Sequence, residues 1–224
     1  MTVPPSDPPR AAAPSAMPVL WESLGLRHTP PGAAGPLFEG MDLRIGPGAT
    51  LLRGGDGRGK TTLLRIIAGA LRPQAGRVSA SGGSIFWADP RGDGPELPGE
   101  QETPVDWWAG QARRWPDWSA QALALHIEGF GLAGHAGKRM EQLSTGTRRK
   151  VLLAAGFASG AALVLVDEPV AGLDRPSVEY LRRCLSEAVA CTASAGSRHG
   201  TAVVVAHYGT LGGVPWNQVV ELGD

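Results

Sequence analysis

Residues 49–62 decide the fold, and they read Ala-Thr-Leu-Leu-Arg followed by Gly-Gly-Asp-Gly-Arg-Gly-Lys-Thr-Thr. The first five residues are typical of a short buried strand, and the rest matches the pattern GxxxxGK[ST] at the point where a helix should begin. Glycines let successive backbone N–H groups turn toward one anion, while the helix N-terminus adds partial positive charge. The strand-loop-helix context therefore favours a phosphate-binding loop over a Gly-rich turn with a solvated lysine.

The loop contains candidate ligands for phosphates and for a divalent cation. We expect Lys60 to reach the outer phosphates and the Thr61 hydroxyl to hold Mg²⁺. The other candidate binding residues of the loop are Gly54, Gly55, Asp56, Gly57, Arg58, Gly59 and Thr62. Together these residues predict a binding site for the phosphates of a nucleotide.

A second candidate feature is an apolar run that ends in two carboxylates. Residues 161–166 read Ala-Ala-Leu-Val-Leu-Val and lead directly into Asp167 and Glu168. A buried parallel strand would deliver both carboxylates to its C-terminal edge, beside the phosphate loop. We expect Asp167 to hold Mg²⁺ through water and Glu168 to orient or deprotonate the water that attacks the γ-phosphate. On its own, a strand that ends in Asp-Glu is more often followed by a solvated turn.

The whole sequence predicts one α/β domain with a P-loop NTPase core, an antiparallel β subdomain and a short α-helical insert. Of its 224 residues 42% are hydrophobic, which is enough for one core. We expect a disordered Pro/Ala-rich tail at 1–18 and a single domain at 19–222, with the insert at about 90–143. Predicted strands cover 19–26, 41–45, 50–53, 77–80, 84–87, 163–167, 202–206 and 218–222. Predicted helices cover 60–69, 147–159 and 176–190, with two more within 105–132.

Three further short motifs complete a family resemblance. Residues 143–150 read LSTGTRRK, residues 171–174 read AGLD, and His207 ends a predicted strand. With the phosphate loop and the Asp-Glu strand, in this order, they make the chain similar to the ATP-binding cassette (ABC) ATPase family from about residue 19 to 222. Residues 37–40 and 61–69 resemble small exporter-type cassettes, haem exporters among them. The resemblance implies an ATPase that uses ATP and Mg²⁺.

In that family two cassettes bind ATP head to tail, so the resemblance implies a second cassette, identical or different, as a partner. Ser144 and Gly146 of one copy would then face the phosphate loop of the other across the γ-phosphate. Asp174 would lie in the loop that communicates between the two sites. His207 would hydrogen-bond the γ-phosphate and help hold the attacking water. The implied catalytic residues are Lys60, Glu168 and His207.

The resemblance also implies a cellular role. The chain would be a cytoplasmic ATPase subunit at the inner face of the inner membrane that energises a separate transmembrane permease. Export is the implied direction of transport, and haem is a candidate cargo. The longest apolar runs, 163–166 and 202–206, are far shorter than the roughly 20 residues of a membrane span. A second hypothesis is that the chain is a soluble ABC ATPase that acts in DNA repair or translation. Equal numbers of basic and acidic residues, 21 each, argue against a nucleic-acid partner.

The chain departs from the family pattern at several positions. These departures motivate a third hypothesis, that the chain is a regulatory cassette that binds ATP but hydrolyses it weakly. Thr145 and Thr147 replace Gly and Gln of the usual LSGGQ signature. Asp89 stands where a Mg²⁺-binding Gln is usual, and it could supply an oxygen ligand instead. Residues 24–30 contain no tyrosine to stack on adenine, so Arg27 or His28 is the candidate for that contact.

Four of the seven tryptophans lie within the predicted insert: Trp107, Trp108, Trp115 and Trp118. We expect them mainly to anchor the core of a small subdomain. The alternative is that one or two are exposed and line a groove for a helix of the membrane partner. The two cysteines, Cys184 and Cys191, fall in one predicted helix with no metal-ligand spacing, so they predict neither a zinc site nor a disulfide.

Overall fold

The computed structural model describes residues 18–87, 97–193 and 201–223. The strands are β1 Trp21–His28, β2 Phe38–Ile45, β3 Gly48–Arg53, β4 Ala75–Ala80, β5 Ile85–Trp87, β6 Leu163–Asp167, β7 Ala202–His207 and β8 Gln218–Glu221. The helices are α1 Lys60–Ile67, α2 Pro104–Arg114, α3 Ala120–Gly129, α4 Thr145–Ala158 and α5 Arg175–Ala193, with a 3-10 turn at Met140–Gln142. Predictions for residues 1–17, for Asp89 and for the Cys191 side chain lie outside the described residues.

The antiparallel subdomain is a three-stranded sheet in the order β2-β1-β4. Strand β1 pairs antiparallel with both neighbours, and a bulge interrupts its register with β2 near Gly25. Gly25 has φ +62, and its N–H donates to Asp42 Oδ1 at 2.6 Å. Strand β2 begins at Phe38, three residues before the predicted start, because Phe38 and Glu39 pair with the last two residues of β1.

The second sheet is parallel and has the order β5-β6-β7-β3-β8. Strand β7 separates the strand of the phosphate loop, β3, from the strand that ends in the carboxylates, β6. In register, Arg53 lies opposite His207, and Asp167 lies opposite Ala206. The carboxyl ends of β3, β6 and β7 therefore meet at one edge of the sheet, as the sequence predicts. Every residue of β6 and β7 is buried, as expected for strands covered on both faces.

Alternate residues of the parallel strands contribute to two separate hydrophobic cores, because successive side chains point to opposite faces. One core contains Leu165 of β6 and Val204 of β7 together with the apolar side of α1. The other contains Val164 and Val205 together with residues of α2, α4 and α5. Each Leu, Ile or Val that is fully buried here contributes roughly 1.5–3 kcal/mol. Among the described helices, none is both long and apolar enough to cross a membrane.

The tryptophans of the helical insert belong to the core. Trp107 and Trp108 are both 3% exposed, and the Trp108 indole N–H donates to the carbonyl of Val151 in α4 at 3.2 Å. Trp115 and Trp118 are partly buried and pack against the same cluster. The structure thus favours the core interpretation of these four residues over an exposed groove. Thr103 and Ser119 cap the N-termini of α2 and α3, which fixes where each helix begins.

Helix α3 packs against α5 through a small polar cluster. His126 Nδ1 lies 2.9 Å from Tyr180 Oη, and a side chain at Gly129 would overlap the Tyr180 ring. Burial lowers the pKa of His126 to about 4 and raises the pKa of the neighbouring Cys184 thiol to about 11. Both groups are therefore neutral at physiological pH, and the Cys184 thiol is unreactive.

Candidate functional site

The glycine-rich loop leaves β3 and enters α1 at Lys60, in the strand-loop-helix arrangement that the motif predicts. Gly57 has φ +78 and Gly59 has φ +89, a region that residues other than glycine rarely adopt. A Cβ atom at Gly59 would also lie only 2.9 Å from the Phe38 ring. Among the residues that the structure describes, no side chain caps the start of α1. The N–H groups at that helix start are thus suited to an anionic ligand.

Lys60 spans the loop and reaches Glu168, which directly follows β6. Its side chain is only 7% exposed, and Nζ donates to the carbonyls of Gly54 at 2.8 Å and Gly55 at 2.9 Å. The same ammonium lies 3.7 Å from Glu168 Oε1. A buried cation needs such partners, since an unpaired charge in the interior is strongly unfavourable. Lys60 therefore places its charge at the mouth of the loop, as expected for a phosphate ligand.

Thr61 and Asp167 connect α1 to the end of β6. The Thr61 hydroxyl donates to Asp167 Oδ2 at 2.7 Å, and Asp167 is 5% exposed. A hydroxyl and a carboxylate are both hard oxygen donors, which is the ligand chemistry that Mg²⁺ prefers. The pair consequently fits the predicted Mg²⁺ site at the sheet edge. The third residue predicted there, Asp89, lies outside the part of the chain that the structure describes.

Glu168 occupies a strained position beside these residues. Its φ is +44, which is rare for a residue with a side chain, and its N–H donates to the carbonyl of Ala206 at 2.9 Å. Strain of this kind is concentrated at functional sites, where surrounding contacts hold it. Here the carboxylate lies between two groups, with Oε1 3.7 Å from Lys60 Nζ and Oε2 4.0 Å from His207 Nε2. The structure thus brings together the three residues predicted to be catalytic.

His207 ends β7, and its imidazole is almost completely buried. Nδ1 lies 2.9 Å from the Gly209 carbonyl oxygen and 3.0 Å from the Gly209 nitrogen. If the Gly209 N–H donates to Nδ1 of a neutral ring, Nε2 carries the proton and faces Glu168. The Tyr208 ring lies against the imidazole with centroids 4.3 Å apart, although Tyr208 itself is 67% exposed. Sequence reasoning missed Tyr208, because an aromatic residue after a strand carries no motif.

An open cleft of about 410 Å³ lies in front of the phosphate loop. The loop residues that line it are Asp56, Gly57, Arg58, Gly59, Lys60, Thr61 and Thr62. Glu168 closes one side, and the other wall consists of Pro30, Ala33 and Leu37. Gly54 and Gly55 contact the ammonium of Lys60 instead of lining the cleft.

Neither residue suggested for adenine stacking is among the described residues that line the cleft. Arg27 is exposed on the antiparallel sheet, 3.9 Å from Glu39, and His28 is buried with 7% exposure. The apolar wall of Pro30, Ala33 and Leu37 is therefore a better candidate for contact with a base. Sequence reasoning missed it, because the segment between β1 and β2 approaches the loop only in the folded chain.

The predicted signature residues form a separate cluster at the start of α4. Ser144 caps this helix, because its Oγ accepts from the Thr147 N–H at 3.1 Å and lies 2.9 Å from the Thr147 hydroxyl. Gly146 packs against Gly172, where any added Cβ atom would overlap the Gly172 carbonyl. The described residues that line the cleft include neither Ser144, Gly146 nor Asp174. One copy of the chain thus does not bring the two predicted halves of the site together.

Comparison with known proteins decides the family. Residues 38–171 match the family model described as "ABC transporter". The chain belongs to the ABC transporter family. A cytochrome c biogenesis ATP-binding export protein CcmA from Alkalilimnicola ehrlichii is 35% identical over 218 residues, covering 91% of this chain and 87% of the relative. CcmA from Pseudomonas syringae is 30% identical over 195 residues, covering 80% and 84%.

Solved structures share the fold of this ABC transporter protein. A chain from Pyrococcus furiosus described as an ABC transporter ATP-binding protein superposes with a TM-score of 0.70 at 21% identity, covering 90% of this chain and 96% of the other. A dimeric bacterial ABC transporter cassette gives a TM-score of 0.68 at 16% identity, covering 91% and 94%. The predicted α/β P-loop NTPase fold is confirmed. With the family match, so is the predicted identity as the ATP-binding and ATP-hydrolysing subunit of an ABC transporter.

Proposed function

We propose that this chain binds Mg·ATP in the cleft, closes head to tail on a second cassette, and uses hydrolysis to drive export through a separate transmembrane permease. The observation that carries the proposal is the contact of Glu168 with both Lys60, at 3.7 Å, and His207, at 4.0 Å. It sets a carboxylate, an ammonium and an imidazole around one point beside the phosphate loop. Such an arrangement is suited to phosphoryl transfer to water.

Each residue of the cluster has a separate task in the proposed reaction. The loop N–H groups and Lys60 bind the β- and γ-phosphates and stabilise charge on the transferred phosphoryl group. Glu168 accepts a hydrogen bond from the attacking water and orients it, while His207 Nε2–H donates to a γ-phosphate oxygen. Thr61 and Asp167 would hold Mg²⁺, which supplies charge neutralisation between the phosphates. Pro30, Ala33 and Leu37 provide an apolar surface for the base.

The proposed head-to-tail dimer is supported by the separation of the two clusters. The phosphate loop with its carboxylates forms one side of a nucleotide site, while Ser144 and Gly146 lie apart from the cleft in the same chain. A helix N-terminus capped by Ser144 is suited to a phosphate, because its first N–H groups have no intrahelical partner. A second copy, or a different cassette, would supply this cluster to the open side of the cleft.

The proposed direction and cargo rest on the relatives. CcmA proteins carry cytochrome c biogenesis and export in their names, and they cover 80% and 91% of this chain in the two comparisons given above. We therefore infer export, with haem as a candidate cargo, and a location at the cytoplasmic face of the inner membrane through the permease. Equal positive and negative charge gives no electrostatic support for a nucleic-acid partner.

A weakly hydrolysing regulatory cassette is less well supported than a competent ATPase. That alternative rests on Asp89 and on the two threonines of the signature. In the structure Thr147 supports the Ser144 cap through the hydroxyl contact at 2.9 Å, so this departure preserves the local geometry. Lys60, Glu168 and His207 lie close together beside the phosphate loop, which supports the proposal of a hydrolysing site.

The decisive experiment uses Glu168→Gln, which removes the water-activating carboxylate but keeps its shape. Light scattering should show that Mg²⁺ with ATP, but not with ADP, converts this variant from monomer to dimer, while phosphate release falls at least ~100-fold. Glu179→Gln, on the exposed side of α5, is the matched control and should behave as the unsubstituted chain. Multiple turnovers by Glu168→Gln at the normal rate would contradict the proposed role of Glu168.

A further inference from the structure

The segment between β7 and β8 begins directly after His207 and contains a strained residue. Leu211 has φ +52, and among the described residues other than glycine only Glu168, at +44, also has a positive φ. This conformation is unfavourable for leucine, and such strain is found mainly at functional sites, where surrounding contacts hold it. Gly212 and Gly213 follow directly and would tolerate the conformation, yet it falls on Leu211. The position therefore needs a side chain.

The Leu211 side chain anchors the segment in one of the two hydrophobic cores. It is 6% exposed and belongs to the cluster that also contains Val205 of β7 and Val214, farther along the same segment. Burial of a leucine removes enough apolar surface from water to offset the backbone strain of one residue. The fold thus keeps Leu211 in a strained conformation because its side chain is packed against the core.

Hydrogen bonds close the segment into a fixed loop. The Trp216 indole N–H donates to the carbonyl of Thr210 at 2.8 Å, next to Leu211. Where the segment ends, the Ala49 N–H donates to Asn217 Oδ1 at 2.8 Å, and the Asn217 N–H donates to the Ala49 carbonyl at 3.0 Å. Residues 208–217 are therefore held at β7, in the core and at β3.

This loop places Gly209 against the imidazole of His207. The nitrogen and the carbonyl oxygen of Gly209 lie 3.0 Å and 2.9 Å from His207 Nδ1. Nε2 is buried, has no hydrogen-bond partner among the described residues, and lies 4.0 Å from Glu168 Oε2. A carboxylate favours a proton on the nitrogen that faces it, which leaves Nδ1 to accept from the Gly209 N–H. The buried Nε2–H is then available to a ligand.

We propose that Leu211 and Trp216 are positioning residues that hold Gly209 against Nδ1 and so keep the Nε2–H of His207 directed at the γ-phosphate. This inference rests on the proposed function, since it requires a phosphate in front of His207. Neither Leu211 nor Trp216 is among the described residues that line the cleft. Both act only through the orientation and the tautomer of the imidazole.

The test compares variants of the full chain in steady-state phosphate release at a range of ATP concentrations. Leu211→Ala removes the anchor, whereas Leu211→Met keeps a side chain of similar volume. Trp216→Phe keeps an aromatic ring but removes the donor to Thr210. Leu132→Ala is the matched control, because it truncates another buried leucine of the same core, at a position after α3.

We expect Leu211→Ala to lower kcat about tenfold and Trp216→Phe to lower it about threefold, with the KM for ATP little changed. Leu211→Met should restore most of the rate. Leu132→Ala should lose as much thermal stability as Leu211→Ala but keep the normal kcat. A Leu211→Ala protein with the kcat of Leu132→Ala overturns the inference. If Leu211→Ala does not fold, an unchanged kcat in Trp216→Phe overturns it.

Heteronuclear NMR of the histidine rings separates this inference from the proposed function, since it needs neither nucleotide nor hydrolysis. In alkaline buffer, where a free imidazole is neutral, the ring-nitrogen shifts show which nitrogen carries the proton. The spectrum of His207→Gln identifies the signals of His207. We expect the Nε2–H form in the unsubstituted chain and in Leu132→Ala, and a mixture of both forms in Leu211→Ala.

The NMR result and the phosphate-release result have separate consequences. A chain that shows the expected tautomers but releases no phosphate contradicts the proposed function and still supports the positioning of His207 by the loop. A Leu211→Ala protein with the same tautomer ratio as the unsubstituted chain overturns the inference, whatever the rate of hydrolysis.

Discussion

The phosphate-loop edge and the signature cluster differ in what holds them together. At the loop edge, charged side chains fix one another, with the Lys60 ammonium 2.8 Å from the Gly54 carbonyl and 3.7 Å from Glu168. At the signature cluster, backbone packs on backbone where Gly146 meets Gly172. The first region can exchange its internal contacts for those of an anion. The second depends on shape, so it is suited to present fixed atoms to another molecule.

The largest expected effect on hydrolysis comes from a substitution at the phosphate-loop edge. Lys60→Ala should abolish nucleotide-dependent phosphate release, a fall of at least ~100-fold, because it removes the main cation beside the transferred phosphoryl group. Lys138→Ala, at an exposed position of the insert, is the control and should leave the rate unchanged. Phosphate release and binding of a fluorescent ATP analogue measure both variants. Normal hydrolysis by Lys60→Ala would show that the loop edge is not the catalytic region.

The next effect, on stability, comes from a substitution that changes only the packing of the signature cluster. In Gly146→Ala the new methyl group overlaps the Gly172 carbonyl, so the loop at 171–174 must shift. Overpacking of this kind costs about 1–3 kcal/mol, which for a chain of this size lowers Tm by several degrees. Gly137→Ala, where an added Cβ meets no atom within 4 Å, is the control. Calorimetry that finds equal Tm values for the two variants would refute the close approach.

A smaller effect tests how the loop edge is shielded from solvent. Tyr208 covers one face of the His207 imidazole at a centroid distance of 4.3 Å. We expect Tyr208→Ala to lower kcat by about 3- to 10-fold, because the imidazole loses part of its packing and its orientation. Tyr208→Phe keeps the ring and should retain the normal rate. A Phe variant as slow as the Ala variant would instead assign the effect to the phenol hydroxyl.

The smallest effect concerns α5. This helix begins beside the signature cluster, and the middle of α5 packs on α3. Burial lowers the pKa of His126 to about 4, so the unfolded chain binds a proton that the folded chain does not between pH 6.5 and 4. The stability contributed by neutral His126 is therefore present above pH 6.5 and lost as the pH falls toward 4. His126→Leu should show a shallower fall of Tm across this range. An unchanged pH dependence would contradict this assignment.

The local parts of the site could be predicted from sequence, because the residues that define them are adjacent in the chain. The loop from Gly54 to Thr61 follows its own strand directly, and the carboxylates of Asp167 and Glu168 directly follow an apolar run. The central parallel strands could be predicted for a similar reason, because β6 and β7 are apolar up to their last residue, as strands buried on both faces are. Because these strands pair in parallel, their carboxyl ends lie at one edge of the sheet, and this brings the loop and the carboxylates together.

Contacts between distant segments could not be predicted. The sequence suggests a phosphate contact for Gly146, whereas the structure shows in addition that its missing side chain admits Gly172. It suggests Arg27 or His28 for the base, whereas in the fold Pro30, Ala33 and Leu37, between β1 and β2, lie beside the loop. Both features depend on register and approach distance, which hydrophobic periodicity does not encode.

The place of β3 in the sheet has a consequence for biosynthesis. Its hydrogen-bonded neighbours are β7 and β8, so the strand that carries the phosphate loop is translated early and both of its partners late. The Ala49 N–H even donates to the Asn217 side chain at 2.8 Å, across 168 residues of sequence. Such long-range pairing is slow to form and leaves strand edges open on the ribosome. A nascent chain that ends before residue 202 therefore contains the whole loop motif but neither of the two strands that pair with β3.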